Sequence, residues 1–583
     1  MKRLLLFVVM FLLLTTPVLF AQGLMDYVDE VRGDTLVVKD YWDMEGEANS
    51  LYQVITLDVT DVPAGRVYLL KTNGYYPLIN NPTTQRPTVV MGEDNTILVN
   101  NKDAASNPPL ICGYAWEGGN NTGAFLIAHD LTVKNCYITP SHQNLGYGWA
   151  FFDNVAANTT FTLDNCLMER TRWIFVTGGG NPGFSCHISN CYFVNMSGQE
   201  CRRNGGVYDG FTAMNTMWVE NSTHVMAQGL IYKLRANPFE KVVFNQNTFI
   251  NMSNLVFLDL GYQSAMSTTN NIFINCNVQG YGGVTIDEGE EDVEKLPIGL
   301  VNVYPDPDIE GDRKILVDNN VIYWDPKLDV VVPTLIANAV NGVTTWVSQM
   351  ITMNTRTQGM FDDDATYPYL AEGKWYNVLP NFTDPKDLFT DQLDNLIEFS
   401  IATSDTESAV IMPDWRLINT GPDNFIFSDY PVPVDLSYDN AELLTAATGG
   451  FPVGDLNWFP ERKAEWLAQR DAIYATIENQ LQTGTTSSVE NAAGLPGRFS
   501  LEQNYPNPFN PTTNIKFSLL KDGDVTLKVY DALGREVATL VEGYKTAQSY
   551  EIPFDGSAFT SGVYFYAISA GDQKQVKKMI LMK

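Results

Sequence analysis

The chain has 583 residues, of which 45% are hydrophobic and 12% aromatic, with 44 Gly, 29 Pro and 7 Cys. That length divides into two to four modules, and the apolar content suffices for packed cores, which excludes a disordered or collagen-like chain. With 37 Lys+Arg against 68 Asp+Glu the net charge is −31, so the surface cannot neutralise a run of phosphates and nucleic acid is excluded as the main partner.

Met1-Lys2-Arg3, the apolar run Leu4 to Leu14 and the small residue Ala21 predict a secretory signal peptide over residues 1–21, cut before Gln22. The run is short for a bilayer span. No other stretch approaches that length, so no transmembrane segment is expected in the mature chain.

Residues 22–455 carry a repeat, clearest over 125–325. Its signature is apolar-x-Asn-x-x-apolar, as in Val133 to Ile138, Leu163 to Met168 and Ile188 to Phe193. It continues less strictly around Asn221, Asn247, Asn271 and Asn320. Successive anchor Asn residues up to Asn271 are 24 to 31 residues apart, and Asn320 follows about two periods later. Short β-rich runs with Gly/Asn turns at this period predict a parallel β-helix with one coil per repeat and a ladder of stacked Asn amides. Val67 to Leu70, Thr88 to Met91 and Phe125 to Ile127 read as earlier coils. Cys136, Cys166 and Cys191 share one repeat position, followed by Ser222 and Thr248, which predicts a buried stack of small side chains rather than a disulfide framework. An acidic stretch, Asp287 to Asp292, marks an insertion over about 281–313. Over roughly residues 50–455 the pattern resembles the right-handed β-helix of pectate-lyase-like proteins.

Past residue 330 the period fades. Residues 456–482 predict a helix with Trp466, Leu467 and Ile473 on its apolar side, and 483–494 read as a linker. Residues 495–583 then hold six or seven short alternating runs, among them Asn514 to Leu519, Val525 to Tyr530, Gly562 to Ile568 and Val576 to Met582, which predict a small Ig-like β-sandwich. The expected fold class is therefore all-β, a right-handed parallel β-helix solenoid followed by that sandwich.

The tail contains Asn504-Tyr505-Pro506-Asn507-Pro508-Phe509-Asn510-Pro511-Thr512-Thr513, then Val529-Tyr530-Asp531, Ser561 to Tyr566 and the ending Lys577 to Lys583. These motifs resemble the C-terminal sorting domain of type IX secretion cargo. The resemblance implies a Gram-negative bacterium, the type IX machinery as a partner of residues 495–583, an extracellular or outer cell-surface location and, commonly in that family, removal of the tail.

Chemistry is less specific. The paired carboxylates of polygalacturonase-like signatures and the Trp-Ile-Asp-His string of pectate lyases are missing. One cluster remains: alternation in Leu230 to Arg235 places Lys233 and Arg235 on one face, the candidate catalytic base and charge neutraliser of a polysaccharide lyase. A shift of 26 residues sets Asp259 beside Lys233, with Phe257 near it; Asp209 and Tyr208 belong to the coil before, and Trp173 to the one before that. Such aromatics beside charges suit a sugar face, while a coil-to-coil salt bridge is the structural alternative. No cofactor is fixed by the sequence. Calcium is its one candidate, at Asp306, Asp308, Glu310 and Asp312, where oxygens alternate as in an EF-hand but the twelfth position is Val317 instead of Glu. His129, His142, His187 and His224 show no metal-ligand spacing. Two readings stay open: a protein that binds and cleaves extracellular polysaccharide, and a non-catalytic adhesin or envelope component.

Overall fold

A coil of the body starts from a strand of alternating residues such as Thr160–Asp164, whose Phe161 and Leu163 are buried while Thr160, Thr162 and Asp164 stay half-buried. Period two sends the apolar set to one side, and parallel pairing with Leu131–Lys134 and Ser185–Ser189 stacks that set on its neighbours. Asn165 follows at φ 53, left-handed backbone that asparagine tolerates better than most residues, and the chain turns into Leu167–Glu169 and then Ile174–Gly179. The same turn position is taken by Asn135, Asn190, Asn221, Gln246, Asn270 and Asn319, all at positive φ.

The computed structural model describes residues 23–100, 106–113, 123–139, 150–171, 174–196, 205–259, 261–279, 296–306, 308–337, 350–402, 417–420, 426–428, 430–486, 500–501, 503–504, 506–519, 523–546, 549–571 and 573–583. The signal-peptide reading, the acidic stretch Asp287 to Asp292 and Trp173 lie outside them. The chain divides into two units, Met1–Thr486 and Ser487–Lys583.

In the first unit, repetition of the coil builds three sheets, of twelve, ten and six strands. Neighbours within them are parallel except for the hairpin at one end, where Val28–Arg32 pairs antiparallel with Thr35–Val38. That hairpin and the helix Ser50–Leu57, which buries Leu51, Val54 and Ile55, close this end of the core. The body is thus a parallel β-helix. Columns of like residues fill it: Phe193, His224, Phe249 and Phe273 stack with centroids 4.7, 4.4 and 5.3 Å apart. His224 is a core member. Burial pushes its imidazole down to about 3, and Nε2 shares a 2.9 Å hydrogen bond with the Tyr232 hydroxyl.

The inner corner beside the turn holds Cys136, Cys166, Cys191, Ser222, Asn247, Asn271 and Asn320. Thr248, expected in this column, instead opens the next strand opposite Thr223. Gln246 fills the left-handed slot, and Asn247 moves one place inward. Asn amides bond from coil to coil in both columns: Asn165 Nδ2 donates to Asn135 Oδ1 at 2.8 Å in the turn, and here the amides of Asn247 and Asn271 donate at 3.0 and 3.1 Å to the side-chain oxygens of Asn271 and Asn320. They also reach the backbone carbonyls of Val219 and Phe244 at 2.9 Å.

Among the described residues the last coil is Leu370–Glu372 with Trp375–Asn377, well short of residue 455. Between there and residue 459 the chain forms short strands and the helix Asp391–Ala402 and packs on the second sheet, with Asn251 Nδ2 donating to Leu388 O at 2.8 Å and Trp458 Nε1 to Thr223 Oγ1 at 2.9 Å. The helix Pro460–Thr483 then starts on a proline and stops at Gly484, φ 63. It runs along the first sheet. Trp466, Ile473, Ile477 and Leu481 are its buried side, while Leu467, expected among them, is 56% exposed.

The second unit has a three-stranded and a four-stranded antiparallel sheet. Its strands Thr512–Ser518, Gly523–Asp531, Glu536–Lys545, Ser549–Asp555, Gly562–Ala570 and Gln573–Leu581 match the alternating runs of the sequence. The Asn- and Pro-rich motif laces onto the last strand. Phe509 is buried, its N–H donates to Ile580 O at 2.9 Å, and Asn507 Oδ1 accepts from Ile580 N at 2.9 Å.

Candidate functional site

On the third sheet, Asp153, Thr177, Asp209, Lys233 and Leu258 occupy one register column. Lys233 and Arg235 both turn toward Asp209, as a shared face requires. Arg235 grips it with Nε and Nη2, at 2.7 and 3.0 Å from the two carboxylate oxygens, and Lys233 Nζ lies 3.5 Å away. All three are buried, Asp209 completely and the two cations at 3% and 6% exposure. The Phe211 ring, 45% exposed, lies 4.5 Å from the Arg235 guanidinium. This is a buried ion triad whose bidentate geometry offsets the desolvation of its charges.

Asp259 does not sit beside Lys233. The local spacing is 25 residues, so Leu258 faces Lys233, and a bulge at Arg235, φ 57, brings Asp259 opposite Arg235. Asp259 Oδ1 accepts from Gly261 N at 2.7 Å and from the Gln263 amide, while Oδ2 is buried without a partner. Burial raises its carboxyl to about 6, with Gly261, Gln263 and Arg313 pulling the other way. The same parity puts Tyr208 and Phe257 inside the solenoid instead of on a sugar face, since a one-residue shift exchanges the two sides of a strand. Tyr208 stacks on Phe184, and Phe257 packs 4.5 Å from Phe244.

Asp153, which the sequence reading passed over, is half-buried two coils before Asp209, and burial alone raises it to about 6. Its only signal was register.

The acidic loop closes on itself. Asp306 Oδ1 accepts from Asp308 N at 3.1 Å, and the Glu310 carboxylate accepts from Asp306 N. Asp308 and Asp312 are exposed. Arg313, fully buried just beyond, donates to the carbonyls of Tyr304 and Gly261 at 2.6 and 3.1 Å. Among the described residues no three His, Cys, Asp or Glu side chains converge as metal ligands.

A separate cleft of about 260 Å³ lies between the helix Pro460–Thr483 and the first sheet, lined by Trp218, Lys241, Val243, Tyr474, Ile477 and Glu478 among others. The repeat could not reveal it, because its two walls come from distant parts of the chain.

The tail is the most specific element. Residues 503–582 match the secretion system C-terminal sorting domain. The chain is thus a type IX secretion cargo, destined for the extracellular space or outer surface of a Gram-negative bacterium. No curated protein matches it. A solved structure from a structural and functional study of PorZ, an essential bacterial surface component of the type-IX secretion system of Porphyromonas gingivalis, is 20% identical over 18% of this chain and 13% of its own length, with a TM-score of 0.11. The chain therefore spans only a small part of that protein.

Proposed function

We propose that this exported β-helix binds extracellular polysaccharide at the cell surface without cleaving it. One observation carries the non-catalytic part: Asp209 holds both Lys233 and Arg235 in a buried triad. A uronate lyase needs a base free to reach the proton next to the carboxylate; here the two candidate bases have a counter-ion and little access. Support for a sugar ligand comes from the resemblance of the coils to pectate-lyase-like proteins and from export to the surface, where glycans are the abundant polymers. A purely structural envelope role is the competing reading.

The test is incubation of the full chain with acidic and neutral polysaccharides, with and without calcium, following ultraviolet absorbance for unsaturated products and gel retardation for binding. Retardation without product is expected. Product that disappears in Lys233→Ala and Arg235→Ala would establish a lyase and overturn the reading, and absence of both signals would leave the envelope role.

A further inference from the structure

We propose that the cleft between the helix Pro460–Thr483 and the first sheet is a subsite for one neutral, hydroxyl-rich sugar ring. This rests on the polysaccharide-binding reading above and adds where, and for which sugars.

Trp218 and Tyr474 form the aromatic wall, their rings 4.7 Å apart. The wall is fixed in advance. The Tyr474 hydroxyl donates to Glu220 at 2.6 Å and accepts from Asn245 Nδ2 at 3.1 Å, and Arg470, paired with Glu220 at 2.9 Å, lies 4.6 Å from the Tyr474 ring. Rings already held in place lose little entropy when a ligand arrives. Val243 and Ile477 are buried and give an apolar floor.

The rim is polar and reachable. Lys241 Nζ meets Glu478 Oε2 at 2.7 Å, and the two side chains are 37% and 43% exposed. An ammonium supplies three donors and a carboxylate only acceptors, so the pair can bond to neighbouring hydroxyls of opposite sense. Asp471 adds a second carboxylate. Two carboxylates against one ammonium, on a body whose negative charge exceeds the −31 of the whole chain, repel a uronate and admit an uncharged ring. Aromatic wall, apolar floor and alternating rim are the features a pyranose presents in complement, with CH faces and equatorial hydroxyls. The volume of about 260 Å³ falls just under the ~300 Å³ lower end of small-molecule pockets, which suits a single ring at a chain end or branch.

The experiment measures affinity of the full chain for neutral polysaccharides, such as glucans, mannans and galactans, by gel retardation, alongside acidic ones. Wild-type protein should be retarded by a neutral polymer. Trp218→Ala should weaken that affinity at least tenfold, and so should Lys241→Met, which keeps the stem and loses the donors. Leu467→Ala, on the outer side of the same helix, should leave it unchanged. Unaltered binding in both Trp218→Ala and Lys241→Met would overturn the cleft while leaving polysaccharide binding intact elsewhere. Retardation by acidic polymers alone would overturn the neutral-sugar assignment, and retardation by none would remove the underlying reading.

Discussion

The body and the tail are both β-rich, yet they bring residues together by different rules. In the body, partners lie one coil apart, so that Asn271 accepts from Asn247 and donates to Asn320. In the tail, partners face each other across antiparallel strands, as Tyr530 faces Phe565. A parallel stack places each residue against its own equivalent, and this selects what a column can contain. An amide satisfies another amide, a ring stacks on a ring, and a thiol donates to a carbonyl of the coil before, as Cys191 does to Leu163 O at 3.8 Å. A charge cannot stack on its like. Hence the third sheet sets Asp209 against Lys233 and Arg235.

Breaking that charged contact is expected to have the largest effect. Asp209→Asn removes the carboxylate that pairs with both buried cations and should cost the body about 3–5 kcal/mol, read as a lower urea midpoint for the body's transition with the tail's unchanged. Asn271→Ala removes the acceptor for two Asn247 donors and the donor to Phe244 O. At ~1–3 kcal/mol per buried group left unsatisfied, a loss of about 3 kcal/mol is expected, again confined to the body. Tyr566→Phe sharpens the contrast from the other side. It removes the bond accepted from Asn504 N at 2.8 Å and should cost about 1 kcal/mol in the tail alone.

The last expected effect is one of pH. Asp153 is raised to about 6 in the folded chain by burial, above the ~3.9 of an unfolded aspartate. Between those values the folded form keeps a proton that the unfolded form releases, so this group adds stability as pH falls from about 7 toward 4 and withdraws it as pH rises. Asp153→Asn should flatten that part of the slope, and thermal scans of both proteins at pH 7 and pH 5 check it; an unchanged slope would mean that Asp153 titrates normally.

Much of the architecture was legible, because Asn135, Asn165, Asn190 and Asn221 all fill the same left-handed turn. The reading drifted where Gln246 took that slot and Asn247 moved into the core column, since spacing alone does not separate two adjacent positions that both favour asparagine. The site suffered from the same ambiguity. Lys233, Arg235 and Asp209 do meet, but a coil spacing of 25 instead of 26 moved Phe257 inside, and a bulge reassigned Asp259. Leu467 was misplaced because the helix packs along a tilted line of Trp466, Ile473 and Ile477. The cleft had no local signal at all: 254 residues separate Tyr474 from its partner Glu220. The tail was the easiest to read, because each of its motifs is a short contiguous string.

The helix Pro460–Thr483 touches successive coils in order, through Lys463 to Asn190, Arg470 to Glu220 and Glu478 to Lys241. Coils rise by about 4.8 Å each and a helix by 1.5 Å per residue, whereas these contacts fall seven and eight helical residues apart for one coil each, so the helix crosses the coils at a slant. A solenoid usually tolerates gain or loss of a repeat, but here an added coil between Asn190 and Lys241 would pull these three contacts out of line. Within that span, the number of coils is a quantity the protein has locked.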